Sequence, residues 1–287
     1  MKKGRLIQKL RFDKSFKKAS IFLTIGFIGV FFNYLFTMNA EVPQKNKIST
    51  QRGDTIEFSG YHWVVKDSYG KKAGPGNNYF SGSKDNVYVD SEGKLHMRIT
   101  NRDDKWHCPE VRLLESPGLG RYYFYLDPMP QPFDKDVVIG MFLYDREDTN
   151  NFHKEIDIEI SQWGKDTSLN TQYVIQPKEE EAYRFHTDLN IPTKHLIELG
   201  RKKIVFKSFY GSTSGDDMPL EYSNYKMKPD YEYYSNSERV SINVWLYQTS
   251  EPFNLKEFEV IISKFEFVPF WYDKLLNPKK YKKEDPK

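Results

Sequence analysis

Apolar and polar positions alternate in short runs along most of this chain, and turn residues break the runs every few positions. Period-2 alternation is the mark of strands with one buried and one open face. It predicts strands over 61–66, 86–89, 95–99, 110–114, 122–126, 137–143, 154–161, 171–175, 183–189, 203–209, 239–246 and 257–267. Short strands at this spacing, separated by Gly, Asn, Asp and Pro, predict an all-β sandwich. One helical turn is expected over 193–199, with Thr193 as N-cap and Gly200 just past its end.

The most regular alternation is Lys154-Glu-Ile-Asp-Ile-Glu-Ile160. Ile156, Ile158 and Ile160 face one way; Glu155, Asp157 and Glu159 face the other. Like charges lined up on one sheet face repel, so the arrangement calls for a reason. Sugar chemistry supplies one: retaining glycoside hydrolysis places two carboxyl groups about 5–5.5 Å apart around the bond to be cut. The first and last of these acids have Cα atoms roughly 13 Å apart on a flat strand. Their side chains must therefore lean together over a curved sheet. Charges so close predict that one carboxyl has a raised pKa and stays protonated near neutrality. A merely solvated acidic face is the alternative, as is a divalent-cation site built from the three acids.

Glu155-Ile-Asp-Ile-Glu159 resembles the signature of glycoside hydrolase family 16, the β-jelly-roll enzymes that include lichenases, laminarinases, agarases, carrageenases and xyloglucan transglycosylases. Further resemblances follow in the family's order: 77–87 with 91–95 for an early hairpin beside the cleft, Cys108–Leu113, Gly118–Tyr123 and Ser241–Leu246. The resemblance implies a concanavalin-A-like jelly roll of two curved antiparallel sheets over 57–272. It implies Glu155 as nucleophile, Asp157 as supporting carboxylate and Glu159 as general acid/base. It also implies substrate contacts from Glu110, Arg112 and Trp245, with Tyr79 and Phe80 as further candidates; Tyr173, two positions into the strand after the acidic one, is another candidate by its place. The expected activity is endo-acting, retaining cleavage of a β-glycosidic bond in a polysaccharide. Transglycosylation on the same site and glycan binding without cleavage are the alternatives.

The chain departs from the family in three places. Phe152-His153 stands where a Trp is usual, and 188–211 lacks the family's Trp-rich segment. Ser263-Lys264 occupies the region where many members carry an acidic calcium ligand, so no metal or other cofactor is expected. The six His residues show no zinc-binding spacing. His153 is read as leading into the acidic strand, and Asp145–Asp148 as a solvated loop near the cleft.

Composition narrows the rest. Aromatic residues make up 16% of the chain and suit both strands and sugar stacking, while a net charge of +3 gives no argument for nucleic acid. Cys108 is the only cysteine, which excludes an intrachain disulfide and suits an inert packed thiol. Residues 1–20 carry eight Lys/Arg against one acid, and 21–38 are almost wholly apolar. That pattern predicts an N-terminal hydrophobic helix within 1–40, acting as an export signal or as a membrane anchor if uncleaved. The remainder would then face outward. A linker over 41–56, a basic disordered tail over 273–287 and a monomeric state complete the expectations.

Overall fold

Why 54–271 forms a sandwich is visible in the burial of its strands. In the computed structural model, which describes residues 54–129, 132–211, 220–227, 237–248, 251–271 and 275, the apolar positions of each strand point to one shared interior. The expectations for 1–53, and for nearly all of the tail, lie outside the described residues. Among the described residues no helix is long and apolar enough to cross a membrane.

The strands in chain order are β1 (Thr55–Phe58), β2 (Tyr61–Val65), β3 (Lys72–Ala73), β4 (Asn78–Phe80), β5 (Val87–Val89) and β6 (Leu95–Arg102). Next come β7 (Lys105–Cys108), β8 (Glu110–Leu113), β9 (Gly120–Leu126), β10 (Val137–Tyr144), β11 (Ile156–Ile160) and β12 (Thr171–Ile175). The last are β13 (Tyr183–Phe185), β14 (Thr193–Leu199), β15 (Ile204–Tyr210), β16 (Leu220–Met227), β17 (Arg239–Leu246) and β18 (Phe258–Pro269). Two sheets result. One runs β1-β2-β8-β17-β10-β11-β12-β13; the other runs β16-β15-β14-β9-β18-β6-β7-β4-β3, with β5 on β6. Their ladders are antiparallel except for the short parallel pair β4–β7. The fold is a β-jelly-roll sandwich.

Between the sheets lies one apolar core that includes Ile156, Ile158, Ile160, Ile242, Val244, Phe124, Phe206 and Phe265. Trp63 is fully buried there, edge-on to Phe265, and its indole N–H donates to the Phe58 carbonyl at 3.1 Å. That bond satisfies the one polar atom the large ring carries into the core. Cys108 is buried and inert, its thiol pKa pushed up by burial.

The expected helix over 193–199 is a strand. β14 pairs with β9 on one side and β15 on the other, burying Thr193, His195, Ile197 and Leu199. Seven residues are too few for a helix to hold itself together, and two flanking strands offer every backbone group a partner. The Thr and Gly that looked like helix caps mark strand ends. Besides β14, five strands went unforeseen: β1, β3, β4, β7 and β16. β1 takes in Thr55 and Ile56, which the sequence pattern assigns to the linker.

Candidate active site

Register decides what meets on the open face of the first sheet. Glu159 lies opposite Gly140 on β10, which lies opposite Asn243 on β17, which lies opposite Glu110 on β8. The next row runs Asp157, Phe142, Ser241, Arg112. Paired residues share a face, so Asp157, Glu159, Glu110 and Arg112 stand on one face, and Glu155 joins them by the alternation of the chain leading into β11.

Glu155 immediately precedes β11. Three residues before it, Phe152, His153 and Lys154, all have left-handed backbones, with φ of 49°, 58° and 50°. Such a conformation costs roughly 1–2 kcal/mol for each residue with a side chain. The turn is held by what surrounds it. The Asp148 carboxylate accepts from the backbone N–H of Asn151 at 3.0 Å and pairs with buried Lys154 at 3.3 Å. His153 stacks on Tyr144 with ring centres 4.5 Å apart. The Asp145–Asp148 stretch is therefore not simply solvated: Asp145 is buried and accepts from Ser237 at 2.9 Å.

A pocket of ≈ 540 Å³ opens beside Glu155, lined also by Lys66, Glu110, Arg112, Tyr144, Arg146 and Asn243. Asp157 is only 4% exposed, and Glu159 is half-buried. Burial, then the charges of Glu159 and Glu110, push the Glu155 carboxyl up to about 7. Burial also raises Glu159 to about 7, opposed by a 2.5 Å hydrogen bond from Gln172 and by the Arg184 charge. Arg184 donates in turn to the Gln172 carbonyl at 2.8 Å, which fixes the amide so that its NH₂ faces Glu159. Asp157 is raised well above its usual range by burial and by the two glutamates. Near neutral pH the trio therefore holds protons that ordinary carboxyls would have lost.

Glu110 forms a 2.6 Å ion pair with Lys66, which also donates to the Gly74 carbonyl at 2.7 Å. Trp245 shares the face of Asn243 and is overlaid by the loop at 74–77. Gly76 permits this: its φ is +64°, and a Cβ there would stand 2.6 Å from the Trp245 ring. Asn78 ties the loop down by donating to the Leu246 carbonyl at 3.0 Å.

Three expected contacts are corrected. Tyr173 pairs with Ile158, so it shares the isoleucine face; it is fully buried, and its hydroxyl lies 2.6 Å from Ser208 Oγ. Phe80 is also core, beneath the Lys66 ammonium at 3.8 Å. Tyr79 does not line the pocket; its ring lies 6.2 Å from His107, with the Lys72 and Lys105 ammonium groups over it. No residue of the predicted hairpin lines this pocket; Gly74 and Pro75, just before it, do. Sequence reasoning missed Gln172, Asn243 and Arg146. For the first two the signal was there: each is polar and alternates with apolar neighbours in a foreseen strand.

No protein-family model matches the sequence, and no curated protein matches it. Solved structures do. A Bacillus licheniformis β-glucanase superimposes with a TM-score of 0.55 at 16% identity, covering 77% of this chain and 100% of that one. A β-1,3-1,4-glucanase (lichenase) from a mouse hindgut metagenome gives a TM-score of 0.53 at 17% identity over 72% of this chain and 93% of that one. A protein of Mycobacterium tuberculosis described as an immunostimulatory antigen and pseudo β-1,3-glucanase gives 0.52 at 12% identity over 72% and 91%. The fold is thus that of β-glucanases.

Proposed function

We propose that this domain is a retaining, endo-acting glycoside hydrolase of the family 16 type, cutting a β-glycosidic bond within a polysaccharide. The observation that carries the reading is the set of three carboxyls on one sheet face, two of them held near pH 7, with an open pocket beside the first of them, Glu155. A group titrating near the working pH both gives and takes a proton readily. Glu159 protonates the departing glycosidic oxygen while Glu155 attacks the anomeric carbon, forming a glycosyl ester. Water, giving its proton to Glu159, then displaces the sugar from Glu155 and restores both groups. Asp157, between them, supports the nucleophile.

The test is release of new reducing ends from a panel of polysaccharides. Glu155→Gln and Glu159→Gln should each lower turnover by on the order of 10⁴-fold while the melting temperature holds or rises. Near-normal turnover in either variant removes the assignment. Transfer rather than hydrolysis would add longer chains to the products. Glycan binding without cleavage is the second reading, favoured by the description of one similar structure as a pseudo-glucanase. Binding with no new reducing ends from any polymer would select it. The basic segment and apolar stretch at 1–38 support placing the domain outside the cytoplasmic membrane, which protease accessibility on intact cells would test.

A further inference from the structure

The pocket beside Glu155 carries more positive charge than the acids around it neutralise. Arg112 and Arg146 both line it. Arg239 sits on the same face of β17 as Ser241, which pairs with Arg112, so Arg239 and Arg112 are diagonal neighbours across the two strands. Arg239 also pairs with Tyr144, two residues before Arg146. The three guanidinium groups thus converge from β8, β17 and the loop after β10. Burial, then the charges of Arg146 and Arg239, lower the Arg112 pKa to about 10.

None of the three forms an ion pair or side-chain hydrogen bond among the described residues, and Arg112 Nε is buried without a partner. Glu110 is a carboxylate whose charge bears on Arg112, and Lys66 already takes it at 2.6 Å. Glu155, the other acid of the pocket, is held partly protonated. Converging like charges cost stability unless something of opposite sign joins them. A neutral sugar offers only hydroxyls. A guanidinium fork fits the two oxygens of a planar or tetrahedral oxyanion with paired, charge-assisted bonds.

We propose that Arg112, Arg146 and Arg239 form an anion-binding subsite, so that the glycan bound here carries an anionic substituent, a sulfate ester or a uronate carboxylate, on the sugar next to Glu155. This rests on the hydrolase reading for the direction of the chain in the cleft, but not for the presence of the subsite. Asn243 Oδ1, also buried without a partner and lining the same pocket, is placed to accept from a hydroxyl of that sugar.

The test measures binding and cleavage separately on the full chain. The probes are a sulfated galactan and its desulfated form, a polyuronate and its carboxyl-reduced form, and laminarin as a neutral glucan. Affinity electrophoresis should show at least one anionic polymer bound on the order of tenfold or more tightly than its neutralised form. Arg146→Gln and Arg239→Gln should each erase most of that preference, with melting temperatures no lower than the parent's. Preference for the sulfated probe over the polyuronate identifies the substituent as sulfate; the reverse identifies a carboxylate. Charge-selective binding without new reducing ends would keep the subsite and defeat the hydrolase reading. Equal binding of charged and neutralised forms, or preference unchanged in both variants, overturns the subsite and leaves the hydrolase reading standing.

Discussion

Two regions of this sandwich bury polar groups a single sheet's thickness apart, and they do so in opposite ways. In the core, His195 has both ring nitrogens engaged: Nδ1 is 2.7 Å from Ser208 Oγ and Nε2 is 3.1 Å from Thr193 Oγ1. Tyr173 completes the group through the same Ser208 hydroxyl at 2.6 Å. Burial lowers the imidazole to about 3, so it is neutral at any ordinary pH, and its atoms are satisfied. On the other side of β11 and β12, three carboxyls share one face, with one amide bond to Glu159 and a long 3.4 Å contact from Gln176 to Asp157. A satisfied network stiffens a fold. Incompletely satisfied acids and unpaired arginines cost stability, and their natural complement is a ligand or a reaction. The sequence neighbours Gln172 and Tyr173 belong one to each region, separated only by the alternation of a strand.

The largest contrast comes from two isosteric changes. Asp157→Asn should cut turnover by on the order of 10²-fold and leave the melting temperature equal or higher, because a buried like charge is removed. Tyr173→Phe should do the reverse: turnover close to parent, and a loss of about 1–3 kcal/mol from hydroxyl partners left unpaired. Urea unfolding and reducing-end assays on both variants measure this. If Tyr173→Phe lowers activity while stability holds, the division into a structural and a chemical face fails.

A change at the seam comes next. Gly140 lies between Glu159 and Asn243, and a Cβ there would stand 2.5 Å from Asn243 Oδ1. Gly140→Ala should cost about 1–3 kcal/mol from overpacking. It should weaken glycan binding too, since Asn243 must move out of the pocket wall. Unchanged stability and affinity would mean that Asn243 has room to yield and is not fixed as an acceptor.

How much of this was legible beforehand differs by element. The unbroken Ile/acid alternation of 154–160 announced the strand, its two faces and the three acids. Thr171–Ile175 and Arg239–Leu246 were also bounded correctly; in the second, Val240, Ile242, Val244 and Leu246 recur at every other position and all face the core. Side-chain partners across the sheet were not legible. They depend on register, and the order β8-β17-β10-β11-β12 joins segments more than a hundred residues apart. Arg146 sat in a charge-rich loop whose path is set by Asp148 and Asn151, and nothing local distinguished it from its charged neighbours. Tyr173 was misplaced for lack of one fact, that its partner is Ile158. β3, β4 and β7 are two to four residues long, too short for alternation to register.

The smallest expected effect is also the most discriminating, because the two regions respond to pH with opposite signs. Glu155 has a folded pKa of about 7 against an ordinary value of 4.5. The folded state therefore binds more protons than the unfolded chain between those limits. Its contribution is fully present below about 4.5 and is lost as pH rises through 7. His195 has a folded value of about 3 against 6.5, so its contribution is present above 6.5 and lost as pH falls toward 3. Stability should peak in the window between, falling on the alkaline side because of the acids and on the acid side because of the imidazole. Replacing Glu155 by Gln should flatten the alkaline limb alone, by on the order of a few degrees in melting temperature between pH 5 and pH 8. It should leave the acid limb as it was. A variant whose melting curve shifts by the same amount at every pH would show that Glu155 ionises no differently in the fold than in the open chain, and the chemistry assigned to it would lose its electrostatic basis.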